Sequence, residues 1–278
     1  ANYCLFQLIG LGMLLNHWLR YRWRYGPTHD AYIDSAHQVQ RRWADMLWRT
    51  TASILKLTFV VESNYEFGKR RIIFATRHAS VGDTFLPLQF VLIPYDQKLG
   101  FVMKRELEWD PCIDIAVTRF PHIFISRKSD SAEDEVAQIG NLINHPQLDG
   151  VVIFPEGTRF TPTKRERVLQ SLLDNDRTEL AEWTRKHERV LPPRLGGFLS
   201  LLERNKDADV VFCAHHGFEN GRTFTDILNG GFAGSTIHVK MWGIPYEEIP
   251  TSKEERFAWI MEQWSEVDKY INEIADTD

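Results

Sequence analysis

The chain opens on a run of apolar positions, "LFQLIGLGMLLNHWL" (residues 5–19), followed at once by the basic and aromatic "RYRWRYG". Wound as a helix, fifteen residues reach about 22 Å, against roughly 30 Å of bilayer hydrocarbon. Asn16 and His17 sit near its end. The pattern predicts a helix lying at a membrane surface rather than crossing it, although the chain starts at Ala1 and residues upstream could lengthen it into a single spanning helix. A cleaved signal peptide carries its basic residues before the apolar run, whereas Arg20, Arg22 and Arg24 come after it. From His17 to Arg49 six arginines stand against three acids, interleaved with tryptophan and tyrosine. Aromatic rings at headgroup level with arginines beside them suit an interfacial helix pair. The competing reading is a buried core helix carrying an arginine cluster. Residues 1–50 are therefore expected to form a membrane-interface segment, with the active site on the cytoplasmic side.

From about residue 51 the periodicity changes. "LKLTFVVES", "RRIIFAT", "ADVVFCAHHG" and "STIHVKMWG" read as strands, and "GVVIFPEGT" as a buried strand running into a Pro/Gly turn. Between them lie helical stretches such as "SAEDEVAQIGNLINH" and "RERVLQSLLDNDRTELAEWTRKH", and the chain ends in an amphipathic helix, "SKEERFAWIMEQWSEVDKYINEIADTD". Strands alternating with helices predict an α/β domain over residues 51–278 with a mixed, mostly parallel sheet flanked by helices. No internal repeat or low-complexity linker interrupts it.

Composition narrows the function. At 278 residues, 43% hydrophobic and 26% charged, the chain is globular. A net charge of −5 argues against a general nucleic-acid partner. Cys4, Cys112 and Cys213 are widely spaced with no CxxC pair, which gives neither a disulfide framework nor a zinc site and fits a reducing compartment. The motifs imply no metal and no cofactor.

Polar residues cluster where strands give way to loops, the usual place for chemistry in α/β folds. His78-Ala-Ser-Val-Gly-Asp83 follows the second strand. A histidine there can take a proton from a hydroxyl if a carboxylate holds its ring in one tautomer, and Gly82 lets the backbone turn back. The alternative is a helix-capping box of Ser80 and Asp83 beside an incidental histidine. "FPEGTRF" (residues 154–160) puts Glu156, Gly157, Thr158 and Arg159 in four successive positions: a glycine for close approach and a planar guanidinium suited to a phosphate. Lys104 in "MKRELEW" and Arg127 in "FISRKSD" each follow an apolar strand, and "VLPPRLGGF" (residues 190–198) reads as a rigid loop with a further arginine.

Together these stretches resemble the glycerolipid acyltransferase family, which includes the 1-acylglycerol-3-phosphate and lysophospholipid acyltransferases. His78 and Asp83 match its His-x4-Asp motif. Phe124, Ile125 and Arg127 match the second motif, with Pro121 at its glycine position. Phe154 to Arg159 match Phe-Pro-Glu-Gly-Thr-Arg without change, and "VLPPRLGGF" is similar to the proline-containing fourth motif. The resemblance covers roughly residues 70–200. It implies acyl transfer from acyl-CoA or acyl-carrier-protein to the hydroxyl of a lysophospholipid, 1-acylglycerol-3-phosphate above all, in phospholipid biosynthesis or remodelling at a membrane surface. His78 and Asp83 would be catalytic. Lys104, Arg127, Glu156, Gly157, Thr158 and Arg159 would bind substrate, the cations holding the acceptor's phosphate. Two other classes stay open: a membrane-associated serine hydrolase using Ser80, and a non-catalytic lipid-binding protein.

Overall fold

The computed structural model describes residues 2–22, 24, 30–104, 121–125, 132–219, 221, 225–226 and 229–277. Two helices come first: α1 (Asn2–His17), continued by a wider turn over Trp18–Arg22, and α2 (Asp30–Leu55). Helical winding thus runs past Leu19, where the apolar run ends. They pack closely, since a Cβ at Gly10 would meet the Trp43 indole at 2.5 Å. Buried His17 ties the two by a hydrogen bond to the Tyr32 carbonyl, 3.2 Å. α2 crosses residue 50 without a break, and Trp48 joins the core of the domain that follows.

Among the described residues that domain is built on a seven-stranded sheet in the order β1-β7-β6-β2-β5-β3-β4. The strands are β1 (Thr58–Ser63), β2 (Ile72–Thr76), β3 (Leu99–Lys104), β4 (Ile123–Ile125), β5 (Gly150–Ile153), β6 (Asp209–His216) and β7 (Thr236–Ile244). Five of them, β6, β2, β5, β3 and β4, run parallel. β7 is antiparallel to β6, and β1 is parallel to β7. The mixed, mostly parallel architecture expected from the sequence is present.

Central strands covered on both faces read as continuous apolar runs because both alternating side-chain sets are buried. In β2, Ile73 and Ala75 enter a core with Ile139, Phe198 and Trp264, while Ile72 and Phe74 enter the opposite one with Trp48, Leu86 and Leu92. The first layer is built by α3 (Ala132–Leu142), α6 (Leu195–Arg204) and α7 (Lys253–Ala275); α4 (Pro162–Asp174) and α5 (Thr178–Lys186) stand outside it.

Two local expectations differ from the outcome. The long helical stretch after residue 164 is two helices, broken where Asp176 takes φ 54°, a left-handed conformation that aspartate tolerates better than most residues. "LGGF" is the first turn of α6 rather than loop. Its glycines are kept in a helix despite their propensity because α6 lies against α3: a Cβ at Gly197 would sit 3.2 Å from Ile139. Opposite, a side chain at Gly140 would run into Ser200.

The parallel set decides where chemistry gathers. The carboxyl ends of β6, β2, β5, β3 and β4 point to one edge, the usual place for chemistry in a parallel sheet.

Candidate active site

β2 ends at Thr76 and delivers His78 to that edge. The chain then turns through a short 3-10 segment, Gly82–Phe85, which brings Asp83 back beneath the ring. His78 Nδ1 lies 2.9 Å from Asp83 Oδ1. The other oxygen, Oδ2, accepts from the amides of Ala79 (2.5 Å) and Ser80 (2.7 Å). The carboxylate therefore does both things that the spacing allowed: one oxygen orients the histidine, the other ties the turn. Ser80 is not its reciprocal cap, because Ser80 Oγ accepts from the Gly82 amide instead. Gly82 is required by space, a Cβ there falling 2.9 Å from the Phe218 ring.

The electrostatics fix the tautomer. Burial of Asp83 opposes its charge, but His78, then His215 and the Ser80 amide, together hold its carboxyl below the ordinary range. An ionised carboxylate only accepts, so Nδ1 of His78 donates, which in the neutral ring leaves the lone pair on Nε2. The His78 side chain is 16% exposed against 0% for Asp83. The basic nitrogen can be reached; its partner cannot.

β5 runs beside β2 and delivers the third stretch to the same place. The Phe154 ring packs on His78 at 4.6 Å, and the Phe160 amide donates to the His78 carbonyl at 2.6 Å. Gly157 takes φ 63°, in the left-handed region that favours glycine, with its amide on the Phe154 carbonyl (2.9 Å). A Cβ there would meet Arg194 Cδ at 2.7 Å, which places the arginine of the fourth stretch over the "PEGT" turn. Thr158 Oγ1 accepts from Lys164 Nζ at 2.9 Å, and Arg159 is half-buried beside it. The structure thus brings His78, Asp83, Glu156, Gly157, Thr158 and Arg159 together. Lys104 ends β3 as expected, but its side chain and all of Arg127 lie outside the described residues.

Glu156 is fully enclosed, and among the described residues neither carboxyl oxygen makes a well-formed hydrogen bond. Burial pushes its pKa up to about 8; the Arg77 charge and the nearby amides of His78 and Leu191 counter this only in part. The folded chain therefore keeps a proton that the unfolded chain releases near its ordinary value of 4.5. Stability should fall as pH rises from about 4.5 to 8, because over that window the native state binds more protons. Glu156→Gln should flatten the slope. Denaturation midpoints at pH 5 and pH 8 check this: wild type is expected to lose on the order of a few kcal/mol more than the variant. Equal losses would mean that the folded protein holds Glu156 ionised.

Sequence reading passed over a buried group behind the pair. Arg77, wholly enclosed, donates to the carbonyls of Arg189 (3.1 Å) and His215 (3.0 Å) and pairs with Glu219. Burial works against the Glu219 charge, but a hydrogen bond from His216 and the Arg77 charge hold its carboxyl far below the usual range. The signal was present: "AHHGFE" sets polar residues at the end of an apolar strand, as the other four stretches do. Among the described residues no group of three or more His, Cys, Asp or Glu side chains is placed to hold a metal ion.

Known proteins resemble this chain in sequence and in fold. The chain is 29% identical over 214 residues to lysocardiolipin acyltransferase 1 of Gallus gallus, covering 73% of this chain and 53% of that protein. It is 30% identical over 179 residues to 1-acyl-sn-glycerol-3-phosphate acyltransferase delta of Homo sapiens, covering 63% and 45%. The chain thus spans about half the length of these relatives. The fold is that of the 1-acyl-sn-glycerophosphate acyltransferase PlsC from Thermotoga maritima, with a TM-score of 0.58 at 17% identity, over 95% of this chain and 89% of that one. The Acyltransferase family pattern matches residues 56–212, from just before β1 into β6, and the chain belongs to that family.

Proposed function

We propose that the protein transfers a fatty acyl group from an acyl thioester, carried by CoA or acyl-carrier-protein, to the free hydroxyl of a lysophospholipid, with 1-acylglycerol-3-phosphate the leading acceptor. The observation that carries this reading is the His78–Asp83 contact of 2.9 Å, with the opposite ring nitrogen reachable beside the "PEGTR" turn. His78 Nε2 takes the proton of the acceptor hydroxyl. The resulting alkoxide attacks the thioester carbonyl, and the tetrahedral adduct expels a thiolate. Thiols ionise near pH 8.5, so that leaving group needs no strong general acid. Asp83 stabilises the imidazolium formed. No acyl-enzyme is required. Ser80, the nucleophile a hydrolase would use, is fully buried with its hydroxyl oxygen held by the Gly82 amide, which counts against that alternative.

Arg159 is assigned to the acceptor phosphate, together with Lys104 and Arg127. Charge-assisted hydrogen bonds are worth about 1.5–3 kcal/mol, so Arg159→Ala should lower kcat/KM for a lysophosphatidic acceptor by roughly ten- to a hundredfold. The loss with a neutral monoacylglycerol should be several times smaller. Equal losses would make Arg159 a structural residue.

Residues 1–50 would set the enzyme on a membrane surface, where it takes its amphiphilic acceptor from the leaflet. Among the described residues no helix is long and apolar enough to cross a bilayer. Leu8, Leu15 and Leu19 are nevertheless 68%, 58% and 56% exposed, at spacings that share one face of a helix, with Arg20 next in sequence. Leu15→Glu combined with Leu19→Glu should sharply reduce flotation with anionic vesicles. The wild type should stay bound in high salt, because apolar burial adds to the charge attraction. Clean release of wild type by salt would leave only electrostatic docking.

A further inference from the structure

His215 is the last residue but one of β6, its ring wholly buried, with β2 as the neighbouring strand. Its Nε2 lies 3.1 Å from the Arg77 carbonyl and 3.7 Å from Asp83 Oδ2. A carbonyl only accepts, so Nε2 carries the hydrogen. Nδ1 then holds the lone pair, and it is buried with no hydrogen-bond partner among the described residues. The ring is neutral. Burial first, and the Arg77 charge, push its pKa down, while Asp83 and Glu219 pull the other way.

The contact is reciprocal. His215 donates to the Arg77 carbonyl, and the Arg77 guanidinium donates to the His215 carbonyl at 3.0 Å. The peptide so gripped joins Arg77 to His78. Its carbonyl accepts from His215 at 3.1 Å and, at a longer 3.4 Å, from the Thr76 hydroxyl, and its amide faces the Glu156 carboxyl. The same Nε2–H also points its positive end toward the Asp83 oxygen that already takes two backbone amides. One N–H thus bears on both members of the pair without approaching substrate.

Building on the reading of His78 as base, we infer that His215 is a positioning residue for acyl transfer: its Nε2–H aims the Arg77–His78 peptide and supports Asp83. A neutral donor suits this place. A full positive charge there would compete with His78 for the Asp83 carboxylate, whereas a dipole steadies the carboxylate and leaves its charge facing His78. The surrounding ionisable groups are His78, Asp83, Glu156, Arg77, Glu219, His216 and Cys213, and none of the others donates to the Arg77 carbonyl among the described hydrogen bonds.

Two variants of similar polarity test it. The amide nitrogen of glutamine can occupy the place of Nε2; that of asparagine reaches only the place of Nδ1. His215→Gln should keep kcat within about threefold of wild type. His215→Asn should lose about tenfold, the worth of one hydrogen bond, with KM for both substrates within twofold and the folded fraction unchanged. The Nδ1–H proton resonance of His78, identified by its loss in His78→Ala, should stay in place in the glutamine variant and shift in the asparagine one. Equal kcat in the two variants with an unmoved resonance would overturn the assignment, as would a loss carried by KM or by unfolding. The resonance also separates this inference from the reaction itself: if it distinguishes the variants in a protein with no acyl transfer, the reaction falls and the positioning role stands.

Discussion

Replacing His78 by alanine is expected to cut acyl transfer by at least 10²–10⁴-fold, the usual worth of a general base, or about 3–5 kcal/mol of barrier. Little else should change. The ring is partly exposed and, among the described residues, its side-chain hydrogen bond is to Asp83 alone, while the His78 carbonyl, held by Phe160, is backbone and survives the substitution. Thioester binding and melting temperature should therefore stay near wild type. A merely structural histidine predicts the reverse, a lower melting temperature with normal turnover per folded molecule. Measuring both quantities on the two proteins separates these outcomes.

Asp83→Asn should be nearly as severe, for a reason visible in how the carboxylate is shared. The amides of Ala79 and Ser80 need an oxygen at Oδ2, so the asparagine carbonyl takes that place and the turn survives. Its NH2 then faces His78 Nδ1, where Asp83 Oδ1 accepted before. A donor there demands a lone pair on Nδ1, which moves the ring hydrogen to Nε2 and blocks proton abstraction. Turnover should fall by about 10²–10⁴-fold with only a modest loss of stability. Asp83→Ala should lose the turn as well, and so melt lower than Asp83→Asn. If Asp83→Asn turns over like wild type, Asp83 serves the turn alone.

The two carboxylate oxygens also show what sequence can carry. A histidine and an aspartate five apart with Gly82 between are enough to suggest a pair, because a tight turn is the only local way to bring them together. The parallel strands were readable for a similar reason: burial on both faces leaves no polar alternation in "IIFAT" or "VVIF". What escaped depended on distant partners. Nothing in "LPPRLGGF" announces that α3 lies close enough to require glycines in a helix. Likewise "VVFCAHHG" reads as a strand, and only the β6–β2 pairing puts His215 against Arg77 and Asp83. The antiparallel β7 was hidden too, since strand direction is set by connections rather than composition. Arg127, assigned to the phosphate by its motif, falls outside the described residues, so its place rests on the motif alone.

Direct transfer from thioester to lipid hydroxyl is tested most plainly by counting thiol and product with and without acceptor. The protein is mixed with acyl-CoA alone, then with acyl-CoA and 1-acylglycerol-3-phosphate, and released thiol and diacyl product are quantified from the first turnover onward. The expected result is no thiol without acceptor, not even one equivalent per protein, and with acceptor one thiol for each diacyl product. A burst of one equivalent without acceptor would reveal an acyl-enzyme. Continued release without acceptor would reveal a hydrolase, and no release under any condition, with acyl-carrier-protein as donor and other lysophospholipids as acceptor included, a lipid-binding protein; any of these three contradicts direct attack assisted by His78 and Asp83.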